Sequence, residues 1–132
     1  MKEIDIETWN RKTTYDWFNS FSDSTYSITV KMDITKLVKI TKETKSSFFA
    51  NMLYVVVLGL NSIPEMRMRM YNGKPVIFDD INPAITVMTK DGIFTNARFW
   101  NNKDYKSFYK SCRECVDSAY NNEYKSEYNP EN

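Results

Sequence analysis

Cys112-Arg-Glu-Cys115 sets two thiols at the spacing of a redox dithiol, which is also half of a tetrahedral zinc site. Redox pairs sit at the start of a helix, where the dipole lowers a thiol pKa. This pair lies deep inside an amphipathic stretch instead, and zinc would need two further ligands that a chain with two cysteines and no histidine does not contain. The pattern predicts a core residue at Cys112, an incidental one at Cys115 and no metal site. The missing histidine also removes the usual general base at neutral pH, and with it any Ser-His-Asp or Cys-His arrangement within these residues. Catalysis would have to rest on carboxylates, Lys, Tyr or Cys, or on residues the sequence lacks. Asp79 and Asp80 pair two carboxylates in "FDDIN", read here as a solvated turn at the end of a strand. "MRMRM" at 66–70 alternates as a one-sided strand does, with Arg67 and Arg69 on the exposed side or the reverse.

A second group of residues bears on binding. In "TWNRKTTYDWFNSF", 8–21, Trp9, Tyr15 or Asp16, and Phe21 are expected near one side at helical spacing, with Trp17 and Phe18 a hundred degrees or more around the cylinder. One narrow stripe cannot hold them all. The remainder line a second core, a partner surface or a ligand pocket.

The elements that position these residues follow an α/β order without repeats or linkers. A first helix is expected from Thr8 to Phe21. "TYSITVKMD" at 25–33 alternates, with Tyr26, Ile28, Val30 and Met32 on one face, and reads as a half-buried strand. Asp33 is placed to cap a short helix, "ITKLVKITKE", and Ser46 or Ser47 a longer one from Phe48 to about Asn61. The latter is apolar almost all round and is expected to be buried. Asn72-Gly73 and Asp91-Gly92 mark two hairpin turns. A last helix from about Lys103 to Tyr120 presents Tyr105, Phe108, Tyr109, Cys112, Val116, Ala119 and Tyr120 as one stripe, followed by a polar, irregular tail.

Composition sets the outer bounds. At 132 residues the chain is expected to form one domain, and its 42% hydrophobic content argues against disorder. Eighteen basic against seventeen acidic residues leave a net charge of +1, so nucleic acid and anionic membranes are not expected partners. The acidic N-terminus and an apolar run no longer than "MLYVVVLGL" point to a cytoplasmic protein.

Five collinear stretches resemble the N-terminal part of the chloramphenicol acetyltransferases: W-x-R-K at Trp9–Lys12, "TYSITVKMDIT" at Thr25–Thr35, Glu65–Met70, Asn82–Val87 and Pro130–Asn132. The resemblance implies that residues 1–132 are the N-terminal portion of a single α+β sandwich, a mixed sheet with helices packed on one face. It also implies a homotrimer with active sites between subunits, and acetyl transfer from acetyl-CoA to a hydroxyl of chloramphenicol. By the same resemblance Arg11 supports a C-terminal His-His-x-x-x-Asp-Gly motif, and Phe18, Tyr26 and Phe94, with Trp17 beside them, line an apolar acceptor pocket.

Departures from the family accompany the matches. "TVMTKDGIFT" replaces the family's hairpin sequence. Ser47 stands where the family has a Lys that meets the CoA 3′-phosphate, which puts cofactor binding in doubt. The catalytic His, its Asp and the oxyanion-stabilising hydroxyl would lie beyond "YNPEN". The expectation is therefore a truncated, inactive acyltransferase, with a non-catalytic ligand-binding or subunit-interaction domain as the alternative.

Overall fold

The two longest helices start where a capping side chain meets an apolar period. A computed structural model describes residues 1–125, so the Pro130–Asn132 motif and the end of the tail lie outside the described residues. After a short strand β1 (Lys2–Glu3) come α1 (Lys12–Asn19), α2 (Thr35–Thr44) and α3 (Phe48–Ser62). A single 3-10 turn (Pro64–Arg67) then leads into β2 (Met68–Tyr71), β3 (Lys74–Ile77), β4 (Ala84–Met88), β5 (Phe94–Arg98) and α4 (Tyr105–Tyr120). Ser47 starts α3 as expected, its hydroxyl accepting from the Ala50 amide at 3.3 Å. Asp104 does the same for α4, accepting from the Ser107 amide at 2.9 Å. The Asp33 carboxylate accepts from the Thr35 amide at 2.9 Å at the start of α2. Hydrogen bonds from the Thr35 side chain and backbone hold that carboxyl below its usual range.

Both hairpins form around their glycines. Asn72 (φ 49°) and Gly73 (φ 75°) make the two-residue turn between β2 and β3, with Tyr71 opposite Lys74. Gly92 (φ 79°) lies in the five-residue loop between β4 and β5, where Met88 faces Phe94. The pairings are antiparallel and lie in two sheets, β1-β3-β2 and β4-β5, where one mixed sheet was expected.

α4 joins the pieces. One side of it packs on α3, enclosing Ala50, Val57, Phe108 and Cys112 with Leu53, Tyr54 and Phe99 around them. The adjoining side packs on β4-β5, enclosing Ile85, Ala97, Cys115 and Ala119. Cys115 is thus a core residue, not an incidental one, because α4 meets two neighbours and needs a stripe wider than one contact.

Three further expectations are corrected. Residues 25–33 form no strand. Tyr26, Ile28, Val30 and Met32 are each roughly two-thirds exposed or more, since among the described residues no strand lies alongside to pair with them. α3 is enclosed on one side only, with Phe48, Phe49, Val55, Val56 and Leu58 exposed. Arg67 and Arg69 do not share an exposed face: Arg67 is half-buried and donates to the carbonyls of Phe78 and Asp79, and it is Met70 that stands out into solvent.

Candidate functional site

α1 buries none of its residues, and the aromatic side chains on it and just beyond its two ends sort into two groups. Trp9 and Tyr15 face each other with ring centroids 6.0 Å apart. Trp17, Phe18 and Phe21 form a triangle, with centroid separations of 5.0 Å (Trp17–Phe18), 5.2 Å (Trp17–Phe21) and 5.8 Å (Phe18–Phe21). The rings are tilted or edge-to-face, the arrangement that aromatic quadrupoles favour. The expected grouping of Phe21 with Trp9 and Tyr15 is corrected: Phe21 stands four residues after Trp17 and three after Phe18, the spacing of neighbours on one helical face, and although α1 ends at Asn19 the Phe21 amide donates to the Phe18 carbonyl at 3.1 Å and keeps that spacing.

The structure therefore brings together two of the four aromatic residues assigned to the acceptor pocket. Tyr26 (81% exposed) and Phe94 (69% exposed) have no ring contact with this triangle among the described residues. Tyr26 sits on the unpaired segment 25–33, and Phe94 opens β5 opposite Met88. Arg11, at the N-cap of α1, donates from Nη2 to Glu65 Oε1 at 3.0 Å, an ion pair that ties the helix to the 3-10 turn and leaves both side chains about half exposed.

Other chemically suggestive residues are used structurally. Burial pushes the Cys112 thiol up to about 11, with Cys115 nearby adding to it, and burial raises Cys115 as well. That is the reverse of what a redox pair requires. Asp79 meets the N-terminal ammonium, and Asp80 accepts from the Asn101 side-chain amide with both oxygens. Ser47 is occupied as a cap, and its own amide donates to the Tyr109 hydroxyl at 2.8 Å.

One buried polar network escaped sequence reasoning. Asn51 on α3 donates to Thr41 Oγ1 (2.9 Å) and Ser46 Oγ (2.7 Å), and its Oδ1 accepts from the Tyr105 hydroxyl at 2.6 Å. It links α2, α3 and α4 with both amide groups satisfied, which marks a structural joint. An Asn near the start of a largely apolar helix, one of two in α3 with Asn61, was its only signal. A shallow trough of about 480 Å³ beside β1, lined by Glu3, Asp5, Trp9, Met68 and Ile77 among others, holds none of the four pocket aromatics.

Comparison with known proteins identifies the lineage. The chloramphenicol acetyltransferase family model matches residues 1–132. A chloramphenicol acetyltransferase of Proteus mirabilis is 33% identical over 114 residues, 86% of this chain and 52% of that protein. One of Bacillus pumilus is 30% identical over 113 residues, 84% and 50% of the two chains. A solved chloramphenicol acetyltransferase superposes with a TM-score of 0.82 at 31% identity, covering 98% of this chain and 60% of that one. The chain spans about half the length of the curated relatives it matches. With the family model matched from end to end and the fold shared, this chain belongs to the chloramphenicol acetyltransferase family.

Proposed function

We propose that these 132 residues are the acceptor-side portion of an acetyl-CoA-dependent chloramphenicol O-acetyltransferase. The observation that carries the reading is the superposition of 98% of the chain on a chloramphenicol acetyltransferase. The aromatic triangle on α1 supports it. Trp17 and Phe18 form the part of the acceptor wall that is already assembled, and Tyr26 and Phe94 complete it when segment 25–33 acquires a neighbouring strand. A nitrophenyl ring and a dichloroacetyl group are apolar and flat or compact, which suits such a wall.

In the reaction a base takes the proton of the acceptor hydroxyl as its oxygen attacks the thioester carbonyl. The carbon–sulfur bond then breaks, and the CoA thiolate leaves and takes up a proton. Chain residues bind and orient the acceptor. The base is an imidazole in this reading, and with no histidine among the 132 residues it comes from polypeptide outside them. Loss of a general base alone removes a factor of about a hundred to ten thousand, so these residues by themselves are inactive. Arg11 supports the base through the carboxylate of the motif that carries it, exchanging its exposed contact with Glu65. Acetyl-CoA is an intracellular thioester, which places the work in the cytoplasm, and the trimer follows the family.

A second reading, a non-catalytic binding or subunit-interaction module, is favoured by the apolar row Tyr26, Ile28, Val30 and Met32, which stands open to solvent. One assay separates the two. Thiol release from acetyl-CoA with chloramphenicol is measured for the purified chain alone and after mixing with a separately made C-terminal portion of a relative carrying His-His-x-x-x-Asp-Gly. No turnover alone and turnover on mixing is the expected result. Turnover by the chain alone that survives repurification and scales with protein refutes the assignment of the base. Ligand binding without turnover on mixing favours the module.

A further inference from the structure

We infer that Phe21 is a specificity-determining wall of the acceptor site, closing it around an electron-poor aromatic ring; the inference rests on the acceptor-site reading above and extends it to a residue that reading does not include. Phe21 contacts both assembled members of the wall, at 5.2 Å from Trp17 and 5.8 Å from Phe18, with interplanar angles of 70° and 76°. In an edge-to-face contact the edge of one ring lies on one face of the other, and the opposite face stays open to a third party. The three are 61%, 41% and 44% exposed; α1, which carries Trp17 and Phe18, gives none of its residues to the core, and Phe21 lies two residues past its end. An exposed aromatic cluster that contributes nothing to its own helix's packing is a binding surface in waiting. The indole of Trp17 is electron-rich, so its face prefers a ring depleted by a nitro or similar substituent, and Phe21 bounds that face on one side. Phe21 thereby selects for flat aryl acceptors over aliphatic ones of equal bulk.

The test is saturation-transfer NMR of chloramphenicol binding to the full chain, with Phe21→Ala, Phe21→Leu, Phe21→Tyr and Phe18→Ala, and with Trp100→Phe as an exposed aromatic outside the cluster. Losing one ring contact of about 0.5–1.5 kcal/mol corresponds to roughly a two- to twelve-fold weaker Kd. The expected pattern is that loss in Phe21→Ala and Phe21→Leu, with Phe21→Tyr and Trp100→Phe close to wild type. Should Phe21→Ala fail to fold, Phe21→Leu decides, because it keeps the apolar bulk without the ring. Wild-type affinity in Phe21→Leu, with Phe18→Ala weakened, overturns the role of Phe21 and leaves the acceptor site standing. No saturable binding by the wild-type chain overturns the acceptor reading and this inference with it.

Discussion

Replacing Phe108 by Ala is the sharpest test of how the fold is held. Phe108 has no exposed surface and lies between α3 and the chain leading into α4, with ring centroids 5.2 Å from both Tyr54 and Phe99 at angles of 66° and 69°. Truncating a buried Phe costs about 3–5 kcal/mol through lost transfer energy and the cavity left behind. Phe108 also gives up two edge-to-face contacts, so the upper half of that range, about 4 kcal/mol, is expected. A domain of this size has roughly 5–15 kcal/mol in all, and the open faces of α3 and residues 25–33 place this one near the lower end. Urea unfolding followed by far-ultraviolet circular dichroism is the assay, with Phe94→Ala as the paired control. Phe94 is largely exposed, so its loss is expected to stay within about 0.5 kcal/mol. A cost for Phe108→Ala below about 1.5 kcal/mol, the level of a half-exposed site, would refute the enclosed α3–α4 core.

Other outcomes follow from the same geometry. Asn51→Ala removes three hydrogen bonds, to Thr41, Ser46 and Tyr105, of which Ser46 keeps its contact with the Thr44 hydroxyl at 2.8 Å, and is expected to cost about 1–3 kcal/mol in the same urea assay. Arg11→Ala is expected to cost no more than about 1 kcal/mol, because its ion pair with Glu65 is half exposed; a loss of several would reveal a buried partner. Burial raises the Cys112 thiol from 9.0 to about 11, so folding favours the neutral form. The stability this contributes is complete below the unfolded value and lost as pH climbs through the folded one. Urea midpoints are therefore expected to fall between pH 9 and pH 11 in wild type and to fall less in Cys112→Ala. Amide exchange is expected to be fast across 25–33 and slow in α4, and light scattering after size exclusion is expected to show self-association through the open apolar row. A monomer with slow exchange at 25–33 would show that this segment has found a partner within the chain.

What the sequence determined by itself are features whose energetics are local. Ser47 and Asp104 each satisfy amide groups within one turn, so α3 and α4 start where a cap residue meets an apolar period. Asn72-Gly73 and Gly92 accept the positive φ that their turns require, so both hairpins were legible from a few residues. The collinear motifs named the family before any contact was known. Tertiary structure decided whatever needs a second body. Alternation at 25–33 records which side chains would share a face and says nothing about a neighbouring strand, and a strand without a neighbour has no ladder to join. Cys115 and Cys112 looked unequal until α4 was seen to serve two neighbours. The grouping of Phe21 with Trp17 and Phe18 is local by contrast, since it stands four and three residues after them on one helical face. What only the tertiary structure decided is that no described element covers the three rings, which stay 61%, 41% and 44% exposed, because a helical face is buried only where a second surface meets it.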